Sequence, residues 1–111
     1  MQQKQRIKNI DEVIRYLNSI NYYANKTEQN VKTILKDNIA KYKQCKITIS
    51  FLAALCSELL YYANSIGAFK DTALREVLEK GDKLSYQLTF QIQNSESESL
   101  LVSVLTYSQS D

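Results

Sequence analysis

The residues best equipped for chemistry lie in the first half of the chain: Lys26, Lys32, Lys36, Lys43 and Lys46, with Tyr22 and Tyr23 just ahead of them. Lysine ammonium groups contact phosphates and tyrosine rings stack on bases, which is the combination a single-strand nucleic-acid binder needs. At 100° per residue, Lys32, Lys36 and Lys43 fall within about 40° of one another on a helix. Such a ridge could follow a phosphate backbone, although the same spacing also describes an ordinary solvated helix face. No RNP-like motif, glycine-rich clamp or arginine-rich run accompanies it. Tyr22 and Tyr23 open the tetrapeptide YYAN, which recurs at Tyr61–Asn64. Tyrosine pairs on amphipathic helices also serve to cover a core edge with the ring while wetting the hydroxyl.

Other chemistry is scarce. The chain has no histidine, which removes Ser–His and Cys–His nucleophiles, His-bearing metal sites and the commonest general base. Gly67 and Gly81 are the only glycines and cannot build a phosphate loop. Cys45 and Cys56 have neither disulfide-framework nor metal spacing. Cys45 has Lys43 and Lys46 beside it to favour a thiolate, whereas Cys56 sits in a run of Ala and Leu that suits an inert buried thiol. Glu58 is the one charged residue between Lys46 and Lys70. If it faces the core it needs a partner such as Arg15, Arg75 or a tyrosine hydroxyl; otherwise it marks the wet edge of its helix beside Ser57. No catalytic residue, metal site or cofactor is expected, and the expected activity is non-enzymatic.

These side chains must be positioned by a chain of 111 residues with no proline and two glycines, long enough for one domain and one core. That composition favours long helices over a fold built on many tight turns. No secretory signal is visible, and the most apolar stretch, 47–63, falls short of a membrane span. A reduced, cytoplasmic setting without membrane contact is expected. The net charge of +2 hides a division: residues 1–46 hold ten basic against four acidic side chains, a net +6, and residues 47–111 carry a net −4. Asymmetry of this kind bears on partners rather than on fold.

Apolar residues at three- and four-residue steps predict a first helix over about 10–25, capped by Asn9 and preceded by a frayed tail at 1–8. Thr27 caps a second, about 28–44. Thr48 or Ser50 caps a third, about 49–66, which ends at Gly67 and is apolar nearly all round. Such a helix belongs at the centre of a bundle or beneath an oligomer interface. Asp71 or Thr72 caps a short fourth helix, about 72–80, stopped by Gly81. Beyond it KLSYQLTFQIQ alternates strictly, and LLVSVLTY follows the polar loop NSESES, so a β-hairpin is predicted over about 83–107, with a frayed end at 108–111. The segments EVIRYLNSI (12–20) and ELLYYANSI (58–66) match better than the two YYAN copies do, which hints at a duplicated helical hairpin.

The expected fold class is therefore α+β, a four-helix bundle followed by a C-terminal β-hairpin in a single domain. The expected function is a small subunit or adaptor of a larger, nucleoprotein assembly. It would contact nucleic acid through the lysines and neighbouring proteins, or other copies of itself, through the acidic half and an exposed strand edge. In general architecture this resembles the small helical subunits of CRISPR effector complexes, though no motif carries the likeness. The alternatives are a small inhibitor or immunity-type protein, of viral or plasmid origin, that binds one protein target, and a homodimer with the third helix at its interface.

Overall fold

The computed structural model describes residues 2–63, 69–89 and 95–107. Five α-helices carry them: α1 (Gln2–Ser19), α2 (Glu28–Lys43), α3 (Ile49–Tyr61), α4 (Thr72–Thr89) and α5 (Ser95–Thr106), with one 3-10 turn at Tyr22–Ala24. Three of the expected caps form. Thr27 Oγ1 accepts from the Asn30 N–H at 3.1 Å, Thr48 Oγ1 from Phe51 at 3.0 Å, and Asp71 Oδ1 from Leu74 at 3.1 Å. Each satisfies one of the orphan donors of a first turn. Asn9 does not cap α1 but lies inside it, and α1 stops at Ser19, before the predicted residue 25. Its stop is made by Asn21, in the left-handed region at φ 62°, a conformation asparagine tolerates better than most residues.

The second departure is larger. Among the described residues there is no strand, so the fold is all-helical and the predicted β-hairpin is wrong. The alternation from Leu84 misled because Leu84 and Leu88 fit a period of 3.6 as well as a period of 2. Ser85 and Tyr86 decide between the two. Ser85 is 5% exposed and Tyr86 is 51% exposed, the reverse of what the strand requires. In α4 the buried positions are Leu74, Val77, Leu78, Gly81, Leu84 and Ser85, a continuous helical stripe. In α5 they are Ser97, Leu100 and Val104, with Tyr107 buried just past its end, while Val102 points outward. The polar stretch read as a loop is partly a helix start, with Glu96 and Glu98 in the first turn where carboxylates suit the helix dipole.

Gly81 does not stop α4. A Cβ at this position would overlap Cys56 Sγ and Cβ, so the glycine lets α4 lie directly on α3. The missing side chain is a packing device within a helix rather than a terminator. Gly67, expected to end α3, lies outside the described residues, as do 90–94 of the expected hairpin, 64–66 of the internal match and the C-terminal 108–111.

α3 is the central element, packed against α1, α2 and α4, and α5 rests on α4. It buries Leu52, Ala53, Ala54, Leu55, Cys56, Ser57 and Leu59. Each fully buried leucine stabilises the fold by roughly 1.5–3 kcal/mol relative to an exposed one. α1, α2 and α4 of the same chain cover most of this helix, while Ile49, Phe51 and Leu60 are partly exposed and Tyr61 is exposed. Val13 and Leu17 from α1, Val31, Leu35 and Ile39 from α2, and Leu74 and Leu78 from α4 complete the core.

Candidate functional site

The lysines expected to contact nucleic acid are set on or beside α2, and its regular helix realises the 40° arc of Lys32, Lys36 and Lys43. Each is held differently. Lys32 Nζ lies 3.6 Å from Asp71 Oδ2, and both side chains are about one-third exposed. Lys36 Nζ stands 5.6 Å from the centroid of the Tyr107 ring, within cation–π range. Lys43 is exposed in the last turn, where its charge suits the negative end of the helix. Lys46, exposed, follows the helix through a Schellman motif: its N–H donates to the Lys41 carbonyl at 2.9 Å, and Cys45 N–H to Tyr42 at 3.0 Å. Cys45 takes the left-handed position at φ 61°, where glycine is usual. It is exposed, whereas Cys56 is buried, and burial first, then the charge of Asp82, pushes the Cys56 thiol up to about 12.

Asp71 also ties the start of α4 to α2, because its N–H donates to Glu28 Oε2 at 2.7 Å. One end of the lysine arc is therefore braced by a carboxylate–amide–ammonium network that composition and helical pattern did not suggest.

No family model, curated protein or solved structure matches this chain.

The tyrosines of the two YYAN copies meet in space. Tyr22 and Tyr23 pack edge to face at 5.5 Å between centroids, Tyr23 and Tyr62 at 5.5 Å, and Tyr62 and Tyr61 at 5.0 Å. Lys26 Nζ covers the Tyr62 ring at 4.7 Å from its centroid. The Tyr23 hydroxyl donates to Glu58 Oε2 at 2.8 Å, which supplies the tyrosine partner named for that acid, and Glu58 is half-buried rather than central. Asparagines hold the first copy in shape. Asn25 N–H donates to the Tyr22 carbonyl at 2.8 Å, Asn25 Nδ2 to the Asn21 carbonyl at 3.2 Å, and Asn30 Nδ2 to the Asn25 carbonyl at 2.7 Å.

This geometry sorts the aromatic residues by accessibility. Tyr22 is 1% exposed and its hydroxyl has no hydrogen-bond partner. Burial, then the charges of Glu58 and Tyr62, raise its ionisation to about 12. Tyr23 is shifted further upward, first by burial and then by the bond to Glu58. Tyr22 presents no ring face to solvent and Tyr23 is half-buried with its hydroxyl engaged, while Tyr61 is 74% exposed. Among the described residues no three His, Cys, Asp or Glu side chains gather as a metal site, and no helix is long and apolar enough to cross a membrane.

Proposed function

We propose that the chain is a small non-enzymatic adaptor of a nucleoprotein assembly, contacting phosphates through the α2 lysines and neighbouring proteins through its acidic half. The observation that carries the reading is the arc of Lys32, Lys36 and Lys43 on one regular helix, extended by Lys26 before it and Lys46 after it. Ammonium groups in a line exchange condensed counterions for phosphates, which favours binding without base recognition. The tyrosines take a different part from the one their type suggested. Tyr22 and Tyr23 support the turn ahead of Lys26, and buried Tyr22 offers no ring face on which a base could stack.

The Lys32–Asp71 contact opposes binding, because a phosphate must compete with a carboxylate already in place. At one-third exposure such a pair is worth little, at most about 1 kcal/mol, so it lowers affinity without closing the site. The test is fluorescence anisotropy of a labelled single-stranded oligonucleotide at low salt, with the wild type and a variant carrying Lys32→Gln, Lys36→Gln and Lys43→Gln. The variant should keep its helical circular dichroism and lose about tenfold or more in affinity. Undiminished binding by a folded variant would clear α2 of the role. The reading as an inhibitor of one protein target draws its support from Glu58 and Asp82, which line one surface groove between α1, α3 and α4.

A further inference from the structure

Lys32 and Lys36, one turn apart on the lysine arc, each reach toward a different helix of the second half of the chain. Lys32 Nζ lies 3.6 Å from Asp71 Oδ2, at the entry to α4, and Lys36 Nζ lies 5.6 Å from the Tyr107 ring centroid, just past the end of α5. Asp71 is fixed on both sides. Its N–H donates to Glu28 Oε2 at 2.7 Å, and its Oδ1 accepts the Leu74 N–H at 3.1 Å, which leaves Oδ2 facing Lys32. Glu28 stands one turn before Lys32 on α2, a spacing at which side chains are neighbours. One ammonium thus sits beside two acidic residues that the Glu28–Asp71 bond holds together, and it offsets the repulsion between their carboxylates. The two helix ends that these lysines touch are themselves adjacent. Ala73 and Glu76 near the start of α4, and Ser103, Thr106 and Tyr107 at the end of α5, line one cleft of about 240 Å³.

We propose that Asp71 and Tyr107 are competitors built into the lysine arc, so that nucleic-acid binding and the attachment of the α4 and α5 ends to α2 oppose each other. A phosphate that takes the Lys32 ammonium leaves Glu28 and Asp71 together without their cation. One that takes Lys36 draws the charge off the Tyr107 ring. The opposition is reciprocal: whatever holds the two helix ends down weakens the grip on the strand, and the strand loosens the ends. The inference rests on the nucleic-acid reading above and adds its regulation.

The experiment compares the affinity of a labelled single-stranded oligonucleotide at low salt for the wild type, Asp71→Asn and Asp37→Asn. Asparagine at position 71 can still cap α4 through Oδ1 and keeps the backbone bond to Glu28, so the variant removes the competing charge alone. Its affinity should rise about threefold to fivefold, the range open to a partly exposed pair. Asp37→Asn removes the same charge from a flank of α2 about 140° round the helix from Lys32, where Asp37 pairs with Lys41 at 3.3 Å. Its gain should be clearly smaller. Hydrogen exchange of the wild-type protein is a second readout that needs no substitution. Saturating oligonucleotide should speed exchange of the Asp71 and Leu74 amides by about the same factor, as linkage requires, and leave the amides of α3 as they were. Equal gains in the two variants would overturn the proposal by reducing Asp71 to general charge repulsion. Unchanged or slower exchange at Asp71 and Leu74 would overturn it as well. Oligonucleotide binding without these responses sinks the device and leaves the nucleic-acid reading standing, whereas no binding by the wild type or either variant sinks both.

Discussion

Tyr22 carries its hydroxyl into the core with no hydrogen-bond partner, and the consequence is a stability limit on the alkaline side. The folded chain holds the Tyr22 proton up to about 12, against an ordinary value of 10.0. Above pH 10 the unfolded chain loses this proton while the folded chain keeps it, so the folded state binds more protons and stability falls as pH rises. The contribution is fully present below pH 10 and is lost between pH 10 and 12. Tyr22→Phe should flatten that decline and remove one tyrosine from the late-ionising class in an absorbance titration at 295 nm. At pH 7 the same change should be neutral or stabilise by about 1 kcal/mol, because it deletes an unsatisfied buried hydroxyl. An unchanged alkaline decline, together with an unchanged titration, would show that Tyr22 is not buried as described. The tyrosines of the two YYAN copies thus end in one cluster, a meeting that neither copy's own flanks disclosed.

At the scale of elements, Gly81 decides how α3 and α4 fit. In an exposed helix interior Gly→Ala stabilises by roughly 1 kcal/mol. Here the added methyl meets Cys56, and overpacking of this kind costs roughly 1–3 kcal/mol. Gly81→Ala should therefore lower the urea midpoint; a raised midpoint would mean the helices do not touch there. The same residue explains why the end of the fold was misread. Caps are local chemistry, so Thr27, Thr48 and Asp71 were readable from sequence, and α3 announced its central place by its near-continuous apolar content. Gly81, by contrast, looked like punctuation because its partner Cys56 lies 25 residues earlier, and nothing local shows a contact. With α4 apparently ended, Leu84 and Leu88 were left to a period-2 reading that their spacing permits. Only burial, with Ser85 inside and Tyr86 outside, separates the two periods. The groove was hidden for the same reason: Ser57, Glu58 and Asp82 become neighbours only once α4 continues past Gly81 onto α3.

The whole molecule is small and rounded, with principal extents of 33 × 28 × 27 Å, and its charge is divided between a first segment at +6 and a second at −4. The fold keeps the lysine arc and the acidic side chains Glu58 and Asp82 on different helices. The lysine arc sits on α2, and the acidic groove is built from α1, α3 and α4 without any α2 residue. Separate regions of opposite sign suit a chain that bridges two partners, since each attracts its own without blocking the other. The proposed nucleic-acid role of the lysine face makes a quantitative demand. Three phosphates neutralised on a single strand give a slope of log affinity against log salt of roughly −2. Oligonucleotide affinity measured between 50 and 200 mM salt should show that slope, falling by about one order of magnitude over the range. A slope near zero, or no binding at the lowest salt, would contradict the account.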